Sequence, residues 1–149
     1  MQVKENVRHV KELMSTGVVT VTPGETAVRA AHLMARHNIG ALPVCDLDGK
    51  LKGILTDRDI VLRCIAADND PENTQVSDIM TKNVITISPE EDIRKASKLM
   101  ADYQIRRLPV IENEQVVGML SLGDLARTQK FDMEASKALS EISSNIKKL

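Results

Sequence analysis

The sequence predicts a mixed α/β (α+β) fold of two tandem repeats. Each repeat reads strand-helix-strand-strand-helix, and the two pack sheet to sheet about a pseudo-twofold axis. Three observations carry this prediction. Much of the first half of the chain recurs in the second half, 66 residues later. Apolar β-branched runs and helix-starting signals follow one another in the same order in both halves. Each half, at about 60 residues, buries little surface alone, so two apolar sheet faces must cover each other.

The recurrence is read residue by residue. Met14, Val18, Thr20, Pro23, Glu25, Ala30, Leu33, Met34, Ala35, Ile39, Leu42, Pro43 and Val44 return as Met80, Val84, Thr86, Pro89, Glu91, Ala96, Leu99, Met100, Ala101, Ile105, Leu108, Pro109 and Val110. One residue is dropped in the turn that follows. Gly53, Leu55 and Asp59 then return as Gly118, Leu120 and Asp124. Such a pattern reads as a duplicated unit. It sets repeat 1 at residues 7–67, a polar linker at 68–75 carrying Pro71, repeat 2 at 76–128, and a C-terminal helix at 132–147.

Within each repeat the elements follow from local chemistry. Asn6–Met14 reads as a short leading helix, with Val76–Met80 as its briefer counterpart. The β-branched runs Val18–Val21 and Val84–Ile87 favour strands. Thr22-Pro23-Gly24-Glu25 and Ser88-Pro89-Glu90-Glu91 look like helix starts, with a hydroxyl cap, proline in the first turn and glutamate closing the box. In the helices that follow, Ala27, Ala30, Ala31 and Met34 share a face, as do Ile93, Ala96, Ser97 and Met100. Ala41–Cys45 and Leu108–Ile111 are second strands. The turns Asp46-Leu47-Asp48-Gly49 and Glu112-Asn113-Glu114 lead into third strands, Leu51–Thr56 and Val116–Ser121. Second helices run over Asp57–Ala67 and from Leu122 to about Thr128. In the last segment Met133, Ala135, Leu139, Ile142 and Ile146 have amphipathic helical spacing, suited to packing on the body or on a partner subunit.

Composition narrows the function. The chain has 149 residues, 42% apolar and 28% charged, a balance typical of globular proteins. Lysine plus arginine is 20 against 21 acidic residues, so no overall basic field favours nucleic acid. With Tyr103 and Phe131 the only aromatic residues and no tryptophan, base-stacking platforms are not expected either. No apolar run is long enough to span a bilayer, and the first residues lack an apolar signal core, so the reading is cytoplasmic, with no membrane partner. Cys45 and Cys64 form no motif and suit reduced, partly buried positions.

The chemistry concentrates in one repeated stretch, Gly53-Ile54-Leu55-Thr56-Asp57-Arg58-Asp59 and Gly118-Met119-Leu120-Ser121-Leu122-Gly123-Asp124. The apolar pair ends a strand, and the hydroxyl and the aspartate fall where a helix begins. Two readings stand side by side. A helix start suits phosphate, with the hydroxyl as donor and the aspartate accepting from a ribose diol. The same spacing is also a helix capping box. The two copies differ around it. Repeat 2 has Arg106-Arg107 where repeat 1 has Gly40-Ala41, and Arg58 stands where repeat 2 has Gly123. These arginines either meet a phosphate or are solvated or paired with surface acids such as Glu112.

The ordered set resembles a pair of CBS domains, a Bateman module. The set is Met-Ser/Thr before the first strand, Thr/Ser-Pro before the first helix, Leu-Pro-Val on the second strand and Gly-x-x-Thr/Ser-x-x-Asp after the third. The likeness spans about Val7 to Arg127 and is to the stand-alone CBS-pair proteins. It implies binding of an adenosine compound such as AMP, ADP, ATP or S-adenosylmethionine. By that resemblance Asp59 and Asp124 would hold ribose hydroxyls, and Thr56 and Ser121 would contact ribose or phosphate. Val18, Val19, Val84 and Ile85 would line adenine. Ile39, Gly40, Ala41, Ile105, Arg106 and Arg107 would border the clefts.

Other chemistry lacks its residues. His9, His32 and His37 have no metal-ligand spacing with either cysteine, so no metal site is assigned. Asp68-Asn69-Asp70 lacks the glycine and the terminal glutamate of a calcium loop. No phosphate-loop, nucleophile-elbow or paired catalytic carboxylate pattern occurs. The sequence therefore reads as a non-enzymatic regulatory module with no catalytic residues and no required cofactor. It would form a homodimer, bind an adenosine nucleotide in clefts between the repeats and signal occupancy to an unidentified protein partner. The alternatives are a ligand-free interaction protein and an S-adenosylmethionine binder.

Overall fold

The computed structural model describes residues 8–127 and 137–143. In chain order its elements are α1 (Val10–Leu13), α2 (Ala27–His37), β1 (Ala41–Cys45), β2 (Leu51–Thr56), α3 (Asp57–Asp59, continued by a π-helical turn over Ile60–Ile65), α4 (Val76–Ile79), α5 (Ile93–Tyr103), β3 (Arg107–Glu112), β4 (Gln115–Ser121) and α6 (Leu122–Ala126). A last helix, α7, covers 137–143. The remainder of the expected 132–147 helix, and the start of the leading helix before residue 8, lie outside the described residues. Among the described residues no helix is long and apolar enough to cross a membrane.

The chain forms two bodies. Body I contains Val19–Val84 and Glu114–Val116. Body II contains residues 8–18, Ile85–Asn113, 117–127 and 137–143. Their cores use equivalent residues. Val21, Ala30, Met34, Leu42, Val44, Leu55 and Ile60 are buried in body I. Ile87, Ala96, Met100, Leu108, Val110, Leu120 and Leu125 are buried in body II.

The leading helices are exchanged. Helix α1, which opens repeat 1, is held in body II, where Val10 and Lys11 donate their backbone N–H groups to Glu91 O at 2.9 Å and Pro89 O at 3.0 Å. Helix α4, which opens repeat 2, is held in body I, where Val76 and Ser77 donate to Glu25 O at 2.8 Å and Pro23 O at 3.0 Å. Val10 and Val76, each with no exposed surface, thereby enter opposite cores.

The sheets are smaller than the sequence suggests. Each repeat has a two-stranded sheet, β1 with β2 or β3 with β4. The runs Val18–Val21 and Val84–Ile87 are not strands. Only their last residues pair, Val21 with Val44 and Ile87 with Val110, each as an isolated parallel bridge. Val21 N donates to Pro43 O at 3.1 Å, and Cys45 N donates to Val21 O at 2.8 Å. Proline explains why the ladder stops there. The next bond of a parallel ladder would come from the N–H of residue 43, and Pro43 has none to give to Val19. Pro109 ends the second copy in the same way.

Two helices also begin later than expected. Thr22 and Ser88 do not cap them; Thr22 to Glu25 closes a separate turn, with Glu25 N donating to Thr22 O at 3.2 Å. The caps are Thr26, whose hydroxyl accepts from Arg29 N at 3.2 Å, and Asp92, whose carboxylate accepts from Arg94 N at 2.9 Å. The first-turn amides find carbonyls far away in sequence. Ala27 N donates to Thr74 O at 2.8 Å, and Ile93 N donates to Arg8 O at 3.1 Å. The helix expected over Asp57–Ala67 changes to a wider π turn after Asp59, marked by Ala66 N donating to Val61 O at 2.8 Å.

The Asp92 cap makes a testable contribution. The Arg94 guanidinium hydrogen-bonds its carboxylate and holds its pKa below the usual range; the Arg94 backbone N–H and the charges of Arg94 and His9 act in the same direction. A carboxylate with a lowered folded-state pKa stabilises the fold fully above its unfolded value, near 3.9. That contribution disappears as pH falls through the lower folded value. Asp92→Ala is expected to cost about 1 kcal/mol at pH 7. In urea titrations the gap to the parent should close toward pH 2, and a gap that stays constant down to that pH would refute the assignment.

Candidate functional site

The repeated Gly-x-x-Thr/Ser-x-x-Asp stretch ends a strand and opens a helix in both bodies. Its glycine is required by a neighbour. A Cβ on Gly53 would lie 2.7 Å from Thr81 O and 2.8 Å from Met80 Sδ; one on Gly118 would lie 2.5 Å from Met14 Sδ and 3.0 Å from Ser15 O. The Met-Ser/Thr pair after each leading helix crosses there, bridging Ile54 with Thr81 and Ser15 with Met119.

Both capping boxes form. Asp59 N donates to Thr56 Oγ1 at 3.1 Å, while Thr56 N donates back to Asp59 Oδ2 at 3.0 Å. Asp124 N donates to Ser121 Oγ at 3.0 Å, and Ser121 N donates to Asp124 Oδ2 at 2.8 Å. Both aspartates are buried, at 8% and 5% exposure, so each carboxylate needs such partners. In each box Oδ2 is committed to the cap. Asp59 also meets Thr81 Oγ1, at 3.4 Å from Oδ2 and 3.5 Å from Oδ1, with Arg63 Nε 3.9 Å from Oδ1. Asp124 Oδ1 is paired with Arg127. The first helical amide is used too. Asp57 N donates to Gly40 O at 2.9 Å, and Leu122 N donates to Arg106 O at 2.8 Å.

Beside this stretch in body II lies a cavity of 420 Å³ lined by Arg106, Arg107, Ser121, Leu122, Gly123, Ala126 and Leu139. That volume is within the range of small-molecule sites, about 300–1,000 Å³. Its lining is divided by chemistry: two exposed arginines and a hydroxyl on one hand, apolar Leu122, Ala126 and Leu139 on the other. Asp124 is not part of the lining. Leu139 comes from α7, where Ala138 and Ile142 are buried and Leu139 stays 44% exposed. The sequence had grouped Leu139 with Ile142 on a packing face, and the structure gives it to the cavity wall.

The other sequence-derived candidates distribute as follows. Ile39, Gly40, Ala41, Thr56, Arg58 and Asp59 are in body I; Ile105, Arg106, Arg107, Ser121 and Asp124 are in body II. Of the proposed adenine-lining residues, Val18 and Ile85 belong to body II, Val19 and Val84 to body I. All four are half-buried. The sequence reading missed Leu122, Gly123 and Ala126 as lining residues, although the first two fill the free positions of the repeated motif. It also missed Thr81, whose signal was the recurring Met-Ser/Thr pair.

Among the described residues no three His, Cys, Asp or Glu side chains gather closely enough to hold a metal ion. Cys45 and Cys64 are free and buried. Burial, with the neighbouring Asp46 charge, pushes the Cys45 thiol pKa up and so away from the reactive thiolate.

Comparison with known proteins agrees with this architecture. Residues 10–65 and 76–130 each match the CBS domain family. The chain is 46% identical over 134 residues to the CBS domain-containing protein YhcV of Bacillus subtilis, spanning 90% of this chain and 94% of that one. The crystal structure of Hypoxic Response Protein I with two coordinated zinc ions is similar at a TM-score of 0.75 and 36% identity, over 80% of this chain and 98% of that one. The CBS domain pair of protein MJ0100, in complex with 5′-methylthioadenosine and S-adenosyl-L-methionine, is similar at a TM-score of 0.74 and 32% identity, over 81% and 94%. With both halves matched and a relative of nearly equal length this similar, the chain belongs to the CBS domain family and carries two CBS domains in tandem.

Proposed function

We propose that the protein is a regulatory module without a catalytic step of its own, taking an adenosine nucleotide at the body II cavity and signalling occupancy to a protein partner. One observation carries the reading: the 420 Å³ cavity combines Arg106, Arg107 and Ser121 with an apolar wall of Leu122, Ala126 and Leu139. Guanidinium groups suit phosphate, the hydroxyl suits phosphate or ribose, and the apolar wall suits a purine. Asp124 serves the ribose diol through Oδ1, which requires the exposed Arg127 side chain to release that oxygen. If ribose and 2′-deoxyribose forms bind equally, Asp124 is a cap and nothing more. In body I we assign Thr56, Arg58 and Asp59, bordered by Ile39, Gly40 and Ala41, to the corresponding site. We also assign Val18, Val19, Val84 and Ile85 to lining adenine and Ile105 to bordering the body II site, as the resemblance implies.

A second reading, S-adenosylmethionine as ligand, is favoured by the MJ0100 domain pair, which was crystallised with that compound. Thermal shift with AMP, ATP and S-adenosylmethionine separates the readings. A ligand at one hundred times its Kd adds about 2.7 kcal/mol, several degrees in Tm. A response to AMP or ATP above that to adenosine supports the nucleotide reading, whereas a response to S-adenosylmethionine alone supports the second. No response to any of them leaves an interaction scaffold.

We further take the active form to be a cytoplasmic homodimer. The unpaired cysteines suit a reducing compartment. Val61, Leu62 and Ile65, 48–54% exposed on one π-helical turn of body I, offer apolar surface to a second copy. A monomer mass by light scattering would overturn the dimer.

A further inference from the structure

The two repeats differ at the position where a phosphate would lie, and the difference is one of charge. Arg106 and Leu122 of body II correspond to Gly40 and Asp57 of body I. Backbone geometry is the same in both, since residue 40 or 106 accepts from the first amide of the following helix at 2.9 or 2.8 Å. The side chains are not. In body II Leu122 is buried, at 7% exposure, and Arg106 is exposed beside the cavity. In body I Asp57 is exposed and its carboxylate covers Gly40: Oδ2 is 2.9 Å and Cγ 3.3 Å from where a Cβ on Gly40 would be. Only glycine leaves room for this arrangement. The carboxylate is fixed by Arg58 N, which donates to Asp57 Oδ1 at 2.8 Å.

We infer that Asp57 is a specificity-determining residue that excludes phosphate from the equivalent position in body I, so that a phosphorylated ligand loads the chain through body II alone. The inference rests on the nucleotide reading of body II and deepens it. Body I sets Arg58 against Asp57, while Asp59 already has Arg63 Nε at 3.9 Å. Body II sets Arg106 and Arg107 against Asp124, which Arg127 already pairs. A phosphate dianion a few ångströms from an unneutralised carboxylate is repelled strongly enough to lose at least about tenfold in affinity at a protein surface. Rejecting a ligand with a like charge is a common route to selectivity. The duplication has thus left two related sites with opposite preference. One favours phosphate, while the other tolerates only a ligand without it.

Calorimetric titration tests this with AMP and, as the phosphate-free control, adenosine. The parent should bind one AMP per chain, and Arg106→Ala with Arg107→Ala should weaken that binding by well over tenfold. In the arginine-less background, Asp57→Asn should raise AMP affinity at least tenfold and leave adenosine within threefold, with the gain shrinking as salt is raised. Gly40→Arg with Asp57→Leu, which rebuilds the body II pair, should add a second AMP per chain to the parent. Gly40→Arg alone should not. Two AMP per chain in the parent, with one surviving the double arginine substitution, would overturn the inference. So would an Asp57→Asn variant whose AMP affinity does not change, or changes equally for adenosine. Failure of the underlying nucleotide reading looks different: parent AMP binding would be absent or indifferent to Arg106 and Arg107, while the Asp57→Asn comparison still reads the charge effect in body I.

Discussion

Gly53→Ala is expected to destabilise the protein by about 1–3 kcal/mol, although alanine normally favours order over glycine. The added methyl would lie 2.7 Å from Thr81 O. That oxygen accepts from Ile54 N at 2.9 Å, and Thr81 N donates back to Ile54 O at 2.9 Å. The backbone therefore cannot retreat without breaking the bridge that fastens the segment after α4 to β2. Overpacking of this kind costs about 1–3 kcal/mol. Gly118→Ala should cost less, because its nearest obstacles, Sδ at 2.5 Å and Cγ at 2.9 Å, belong to the flexible Met14 side chain, and Ser15 O stands off at 3.0 Å. Gly24→Ala is the control, with no atom within 4 Å of the new methyl. Urea unfolding midpoints should rank Gly53→Ala below Gly118→Ala, with Gly24→Ala at or above the parent. A Gly53→Ala midpoint equal to that of the parent would show that the crossing is not tight.

Arg106→Ala combined with Arg107→Ala is expected to weaken AMP binding by well over tenfold and to leave adenosine nearly unchanged. A charge-assisted hydrogen bond to phosphate contributes about 1.5–3 kcal/mol, and each 1.4 kcal/mol is a factor of ten. Both arginines are exposed, so the double variant should keep the parent's urea midpoint and lose only affinity. Raising salt should weaken AMP binding in the parent and have little effect on the remainder in the variant. Equal losses for AMP and adenosine would mean that the arginines shape the cavity without meeting a phosphate.

Much of the fold was legible because it rests on local signals. The duplication, the positions of β1 and β2, the small-residue faces of α2 and α5 and the capping boxes at Thr56 and Ser121 all follow from residues a few positions apart. Of the candidate site, part of one cavity's lining was legible. Arg106, Arg107 and Ser121 stood out because repeat 2 could be compared with repeat 1, and the structure lines one cavity with all three. Leu139 could not be assigned to that wall, since helical spacing identifies an apolar face without saying whether core or cavity receives it. The strands expected at Val18–Val21 and Val84–Ile87 failed for a nonlocal reason. Their β-branched residues favour extended chain, but the partner position across the ladder is a proline.

By itself the sequence determined a duplicated unit, most of its elements, the buried faces of α2 and α5 and the difference in charge between its two copies. Tertiary structure alone decided which body each leading helix joins. Val10 and Val76 carry equivalent signals, and the carbonyls that receive them, Pro23 with Glu25 and Pro89 with Glu91, are the same residue types in both repeats. Two equal partners were therefore on offer, and no local preference distinguishes them. The course of the chain in three dimensions settles the choice, sending α1 to Pro89 and Glu91 and α4 to Pro23 and Glu25.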